Sequence, residues 1–189
     1  TLKFSIISLM DKVKQFFHHI SPKIISLTNE RFEKTKEIKY KDENTPNFAT
    51  EGDFDNEELI KDELHKWFPE DLIIAEETLS ETQLTNSRRF WIIDPICGSS
   101  NFKNGIKFFC TNIALADKGE LIASCVIDHC REEYAWSVGD SKIYINREEI
   151  KPEKISMGTI VDVDLAALAG QDSKKIEIHQ KLIGFLLRD

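Results

Sequence analysis

No run of apolar residues in this 189-residue chain is long enough to cross a bilayer as a helix. The first apolar stretch, Leu2 to Met10, is short and gives way to polar and charged residues, so it does not read as a signal peptide. Basic charge is scarce: 25 Lys and Arg stand against 33 Asp and Glu, a net charge of −8. Such a chain lacks the basic footprint that nucleic acid or an anionic membrane requires, and neither is expected as a partner. A phosphate substrate would need an attractor other than net charge, and a bound divalent cation is the obvious one. Cysteine is sparse too. Cys97, Cys110, Cys125 and Cys130 form no CxxC pair. Cys125 and Cys130 can be read as two zinc ligands, but no second pair completes the set, and ordinary buried thiols are the simpler reading. A reduced, cytoplasmic protein follows. There is no internal repeat and no low-complexity segment.

What is present is a globular composition with enough length for one domain and a real core. Phe4, Ile7, Met10, Val13, Phe16, Phe17, Ile20 and Ile24 recur at helical spacing, which predicts one or two helices over Leu2 to Leu27, broken near Pro22. Glu30 to Thr45 is charged and weakly periodic, a loop or a solvated helix extension. Asp53 to Phe68 predicts a second helix, started by Asp53 or Asp55 and stopped by Pro69. Leu72 to Ala75 and Phe90 to Ile93 read as short buried strands, separated by a polar loop over Thr78 to Arg88. Four strands are expected at Phe108 to Ala116, Leu121 to Asp128, Glu132 to Val138 and Lys142 to Ile145, the first two joined by a hairpin turn at Asp117-Lys118-Gly119-Glu120. Thr159 to Asp164 predicts a further strand and Lys174 to Leu187 a final helix. Helices packed on a mainly antiparallel sheet give an α/β (α+β layered sandwich) domain.

Both buried strands end in carboxylates: Glu76 and Glu77 after the first, Asp94 after the second. Carboxylates gathered without a basic partner repel one another, and they persist together when a hard cation such as Mg²⁺ sits between them. The carbonyl of Ile96, beside a proline-fixed turn, is a candidate oxygen ligand. Gly98-Ser99-Ser100 then permits close backbone approach and opens a helix, a geometry suited to an anion. Taken alone, Asp94 and Ser99 read equally well as caps of a turn and a helix.

The neighbouring residues carry a resemblance. Trp91-Ile92-Ile93-Asp94-Pro95-Ile96-Cys97-Gly98-Ser99-Ser100-Asn101-Phe102 is similar to the signature of the inositol monophosphatase family of metal-dependent sugar phosphatases at every position but one. Ala75-Glu76-Glu77 and Thr50-Glu51-Gly52-Asp53 resemble its two upstream motifs. Phe108 to Leu115 resembles the strand that follows the signature, and Lys142 to Asn146 the next hairpin. The resemblance covers roughly residues 48 to 150. It implies Glu76, Asp94 and the Ile96 carbonyl as ligands of a first Mg²⁺, with Asp94 and position 97 facing a second ion. It implies Asp53 and Ser99 as the pair that orients and activates the attacking water. It implies Gly98, Ser99 and Ser100 as the phosphate cradle. Asp53, Glu76, Asp94 and Ser99 are then the catalytic set, while Glu57 and Glu77 take a solvated or supporting place. The implied reaction is direct attack of water on a phosphate monoester of a small polyol or sugar. The family also admits a homodimer, for which the residues themselves give no argument.

Cys97 departs from the family, which has Asp there. A thiol is a soft ligand for a hard ion, so the second site is expected to be weak, to prefer Mn²⁺ or a softer ion, or to be lost with catalysis. The family's downstream Trp-Asp motif is also missing. Val163-Asp164-Leu165-Ala166-Ala167 looks similar but comes too soon after the hairpins. The expected organisation is an N-terminal metal- and phosphate-binding lobe over 1–155 and the start of an incomplete C-terminal lobe over 156–189. A catalytically silent relative with a binding or regulatory role is the alternative function. Fructose-1,6-bisphosphatase and nucleotide 3′-phosphatase are the alternative activities.

Overall fold

The structure, a computed structural model, describes residues 2–35, 49–78, 89–139 and 142–151. The chain divides into two compact units, 1–151 and 152–189, and the described residues all lie in the first. The expected strand at Thr159 to Asp164, the helix at Lys174 to Leu187, Asp164 itself and most of the two expected loops fall outside the described residues.

Helix α1 runs over Leu2–Thr35 and α2 over Glu51–Trp67. Strands β1 (Leu72–Ala75) and β2 (Arg89–Cys97) come next, then a short helix α3 (Ser99–Lys103). Strands β3 (Cys110–Asp117), β4 (Glu120–Asp128), β5 (Glu133–Val138), β6 (Ile143–Ile145) and β7 (Glu148–Ile150) complete the unit. The seven strands lie in chain order in one sheet. β1 pairs parallel with β2, and every later neighbour pairs antiparallel. Lys118 and Gly119, with φ of 54° and 83°, make the tight turn between β3 and β4. β7 was not expected, since three exposed residues give no periodic signal.

The break expected near Pro22 does not occur: α1 passes through it. A proline inside a helix costs about 3 kcal/mol. Phe16, Phe17, Ile20 and Ile24 around it are fully buried, and each buried side chain of that size contributes roughly 1.5–3 kcal/mol, so packing outweighs the lost bond. The second helix starts two residues earlier than expected. Thr50, not Asp53 or Asp55, is its N-cap, and Asp53 acts from the third position of a capping box by accepting from the Thr50 amide.

α1 and α2 pack on one face of the sheet. Phe16 stands edge-on to Phe68 and Trp91 at 5.6 and 5.4 Å, and Ile93, Ile113, Leu115, Cys125 and Ile127 supply the sheet side of the core. A smaller cluster of Phe32, Ile96, Phe102 and Phe109 lies behind the turn after β2. The buried stripe of α2 changes character along its length. Ile60 and Leu64 are apolar, whereas Asp53, Asn56 and Glu57 near the start are buried and polar. Burying such groups is costly unless they are bonded, so this end of α2 is held for something other than the core.

Asp71, just before β1, clamps the entry to the sheet: Oδ2 accepts from Trp91 Nε1 at 2.9 Å and Oδ1 from Arg89 Nε at 2.7 Å. Asp71→Ala strands the buried indole N–H, and urea unfolding is expected to show a loss of about 2–3 kcal/mol. A change below about 0.5 kcal/mol, the scale of an exposed ion pair, would contradict that role.

Candidate active site

Parallel pairing decides which carboxylates meet. Ala75 lies opposite Ile93, and the Glu76 amide donates to the Ile93 carbonyl at 3.2 Å. Glu76, just past the end of β1, and Asp94, still inside β2 and paired with Asn112, therefore stand side by side; β2 does not close at Ile93 as expected but runs on to Cys97. Their carboxyls stand close enough for each to act on the other's ionisation. Burial and the neighbouring Asp94 charge push Glu76 above the usual carboxylate range. Burial and the neighbouring Cys97 push Asp94 up to about 6. Burial, then Asp53 and Glu76, push Glu77 up to about 7. Asp94 Oδ2 accepts from Asn112 Nδ2 at 3.3 Å, and Oδ1 is buried without a hydrogen-bond donor.

Asp53 comes to the same place from α2. Its Oδ2 accepts from the Thr50 amide and hydroxyl at 2.7 and 2.5 Å. Its Oδ1 lies 2.9 Å from Ser99 Oγ, which stands equally 2.9 Å from the Ile96 carbonyl, so the single hydroxyl proton can serve either. Asp53 and Ser99 are thus in contact across 46 residues of sequence. Glu57 is buried rather than solvated. It accepts from the Glu77 amide at 2.8 Å and the Thr78 hydroxyl at 2.5 Å, and so fixes the turn that presents Glu76.

Gly98 caps α3 with φ of +99°, and a Cβ there would meet the Phe108 carbonyl at 3.1 Å. Glycine is required on both counts. It offers α3 no side-chain cap, which leaves the amides of Ser99 and Ser100 to be answered from elsewhere. The Ser100 side chain itself is exposed, and the Ser100 carbonyl accepts from Asn104. Gly52 on α2 is also needed: its Cβ would press on Phe102 and Ile96 at 3.0 and 3.2 Å, so α2 lies against the turn.

Sequence reasoning missed the supports beneath this turn. The buried Pro95 carbonyl accepts from Thr111 Oγ1 at 2.6 Å and Asn56 Nδ2 at 3.3 Å. Because Thr111 spends its proton on Pro95, it must accept from His129 Nε2, 2.9 Å away, which fixes the histidine tautomer. Nδ1 is buried without a partner, and burial holds His129 down to about 4. A buried polar residue on an apolar stripe, such as Asn56, was the available signal. One thiol expectation also changes. Cys130 is exposed, not buried, whereas Cys125 is buried as expected, beside Ser21.

Hard oxygen donors, raised carboxylate pKa values and the orphaned Asp94 Oδ1 suit a divalent cation in kind. Among the described residues, however, no three His, Cys, Asp or Glu side chains form a ready-made cage. Asp53 is already engaged by Thr50 and Ser99.

Helices stacked on one mixed sheet, with carboxylates gathered at strand ends against a glycine turn, define a layered α/β domain of the sugar-phosphatase kind. The chain belongs to the inositol monophosphatase family, whose profile matches residues 9–182. It is 34% identical over 103 residues to a fructose-1,6-bisphosphatase/inositol-1-monophosphatase of Thermotoga maritima, 54% of this chain and 39% of that one. It is 30% identical over 104 residues to a Nus factor SuhB of Xylella fastidiosa, 55% of this chain and 37% of that one. The solved Thermotoga maritima IMPase superposes with a TM-score of 0.62 at 28% identity, covering 75% of this chain and 54% of that one. The matches thus span about half or less of the length of these relatives.

Two outcomes test this geometry. Gly98→Ala should cost at least about 1–2 kcal/mol for the left-handed backbone alone, read by thermal or urea unfolding; an unchanged stability would refute the steric argument. His129 is held below its ordinary value of 6.5, so its neutral form is the one the fold favours. Its contribution is therefore full above pH 6.5 and is lost as pH falls from 6.5 towards 4, on the order of 3 kcal/mol in all. The difference in stability between the native chain and His129→Gln should shrink across that window. A difference independent of pH would contradict a buried neutral histidine.

Proposed function

We propose that the chain is the metal- and phosphate-binding part of a Mg²⁺-dependent phosphate monoester hydrolase acting on a small phosphorylated polyol or sugar, with inositol monophosphate the first substrate to try. The observation that carries this is the meeting of Glu76, Asp94 and Asp53 beside the Gly98 turn. Membership of the family and the names of its relatives support the class of reaction.

Glu76, Asp94 and the Ile96 carbonyl would hold the ion, with Cys97 at the edge of a second position. A bound divalent cation supplies Lewis-acid polarisation of phosphoryl oxygens and a lowered water pKa. The remaining work falls to this chain. The Ser99 hydroxyl, poised between Asp53 and the Ile96 carbonyl, orients a water for in-line attack, and the buried Asp53 carboxylate accepts the proton. The amides opening α3 receive phosphate oxygens. Glu57 and Thr50 move no proton; they keep Glu76 and Asp53 in register with the turn.

Cys97 motivates a second reading, a family member that binds or regulates without turnover, since its thiol stands beside Asp94 where the family carries a carboxylate. Phosphate release from inositol, fructose and nucleotide phosphates with Mg²⁺ or Mn²⁺ separates the two. A hydrolase should lose about 100-fold or more on Asp94→Asn, since the ligand and the charge that binds it go together. Absence of turnover in the native full-length protein, joined to a large gain on Cys97→Asp, would establish the silent reading.

A further inference from the structure

We propose that Cys97 and Cys110 are a modification site: a vicinal thiol pair that peroxide closes to a reversible disulfide at the rim of the carboxylate cluster. The two residues are direct partners across the antiparallel β2–β3 ladder, just past the register shift that follows Asp94. Directly opposed residues in such a ladder have Cα atoms about 4.5–5.5 Å apart, within the roughly 4.4–6.8 Å that a disulfide spans. Residues paired in this way project their side chains to the same face of the sheet, so the two thiols stand on one side of the ladder. Cys97 is exposed, so an oxidant reaches it, and Cys110 is half-buried behind it with its Sγ 3.8 Å from Asn112 Oδ1. The other thiols are placed differently. Cys125 lies in the core and Cys130 sits beyond the end of β4, neither in register with Cys97.

The chemistry balances with hydrogen peroxide as the named oxidant. One of the two sulfurs attacks a peroxide oxygen, the O–O bond breaks, and water is released as that cysteine becomes a sulfenic acid. The other sulfur then displaces the second oxygen as water and forms the S–S bond. Two thiols lose two electrons and two protons; one peroxide becomes two waters. A thiol reductant reverses the step by exchange. Closure ties the end of β2 to the start of β3 and takes the Cys97 thiol away from Asp94. Its effect on hydrolysis rests on the function proposed above, whereas its formation does not.

The full chain is treated with one equivalent of hydrogen peroxide, alkylated and digested with trypsin without reduction. Cleavage after Arg89, Lys103, Lys107 and Lys118 puts Cys97 and Cys110 on separate peptides. Mass spectrometry should find those two joined, released by dithiothreitol, and joined equally in Cys125→Ser and Cys130→Ser. Cys97→Ser and Cys110→Ser should each abolish the link. Cys97 and Cys110 recovered unlinked from the native chain, or Cys97 joined to Cys130, would overturn the proposal. Phosphate release assayed on the oxidised and re-reduced chain should fall and return. A crosslink that forms while neither state hydrolyses any phosphate supports the disulfide and removes the hydrolase reading instead.

Discussion

Like charges forced together are the constraint from which the rest of this domain follows. Parallel pairing of β1 and β2 sets Glu76 and Asp94 side by side, and α2 brings Asp53 near them. Three carboxyls in one place, partly removed from water, would push the strand ends apart if all were ionised. The chain answers by holding Glu76 and Asp94 above the usual carboxylate range and with donors from Thr50, Ser99 and Asn112. A divalent ion would answer better, because it brings two positive charges and takes several oxygens at once.

Holding that arrangement requires a rigid base, and the structure provides it out of polar groups rather than apolar ones. Pro95 anchors the turn through its carbonyl, gripped by Asn56 from α2 and Thr111 from β3, with His129 behind Thr111. Glu57 does the same for the turn after β1. These are buried groups with specific partners, so a small displacement of either turn breaks several bonds together. Gly52 and Gly98 let α2 and β3 approach close enough for the grip.

Much of this was legible in the sequence, and the exceptions have physical causes. The apolar stripe of α1, the buried strands at Leu72 and Trp91 and the hairpin at Lys118-Gly119 announce themselves through periodicity and turn chemistry. Glu76 and Gly98 could be named because they sit where strands end, and Asp94 because it opens the Asp-Pro step, although β2 continues past it to Cys97. The continuity of α1 through Pro22 could not be read, since tertiary packing overrode a local rule. Nor could the roles of Thr111, His129 and Asn56, because each depends on contacts between residues far apart in sequence. Cys97 beside Cys110 depends on a one-residue register shift after Asp94, which no spacing in the sequence reveals.

The account stands or falls on whether Glu76 and Asp94 act as ligands of one ion. A crystal of the chain soaked in Mn²⁺ and measured for anomalous scattering decides it directly. The expected map has a peak touching a carboxylate oxygen of each residue and lying against the Gly98 turn. A fully occupied peak elsewhere on the surface, with none between Glu76 and Asp94, would contradict it.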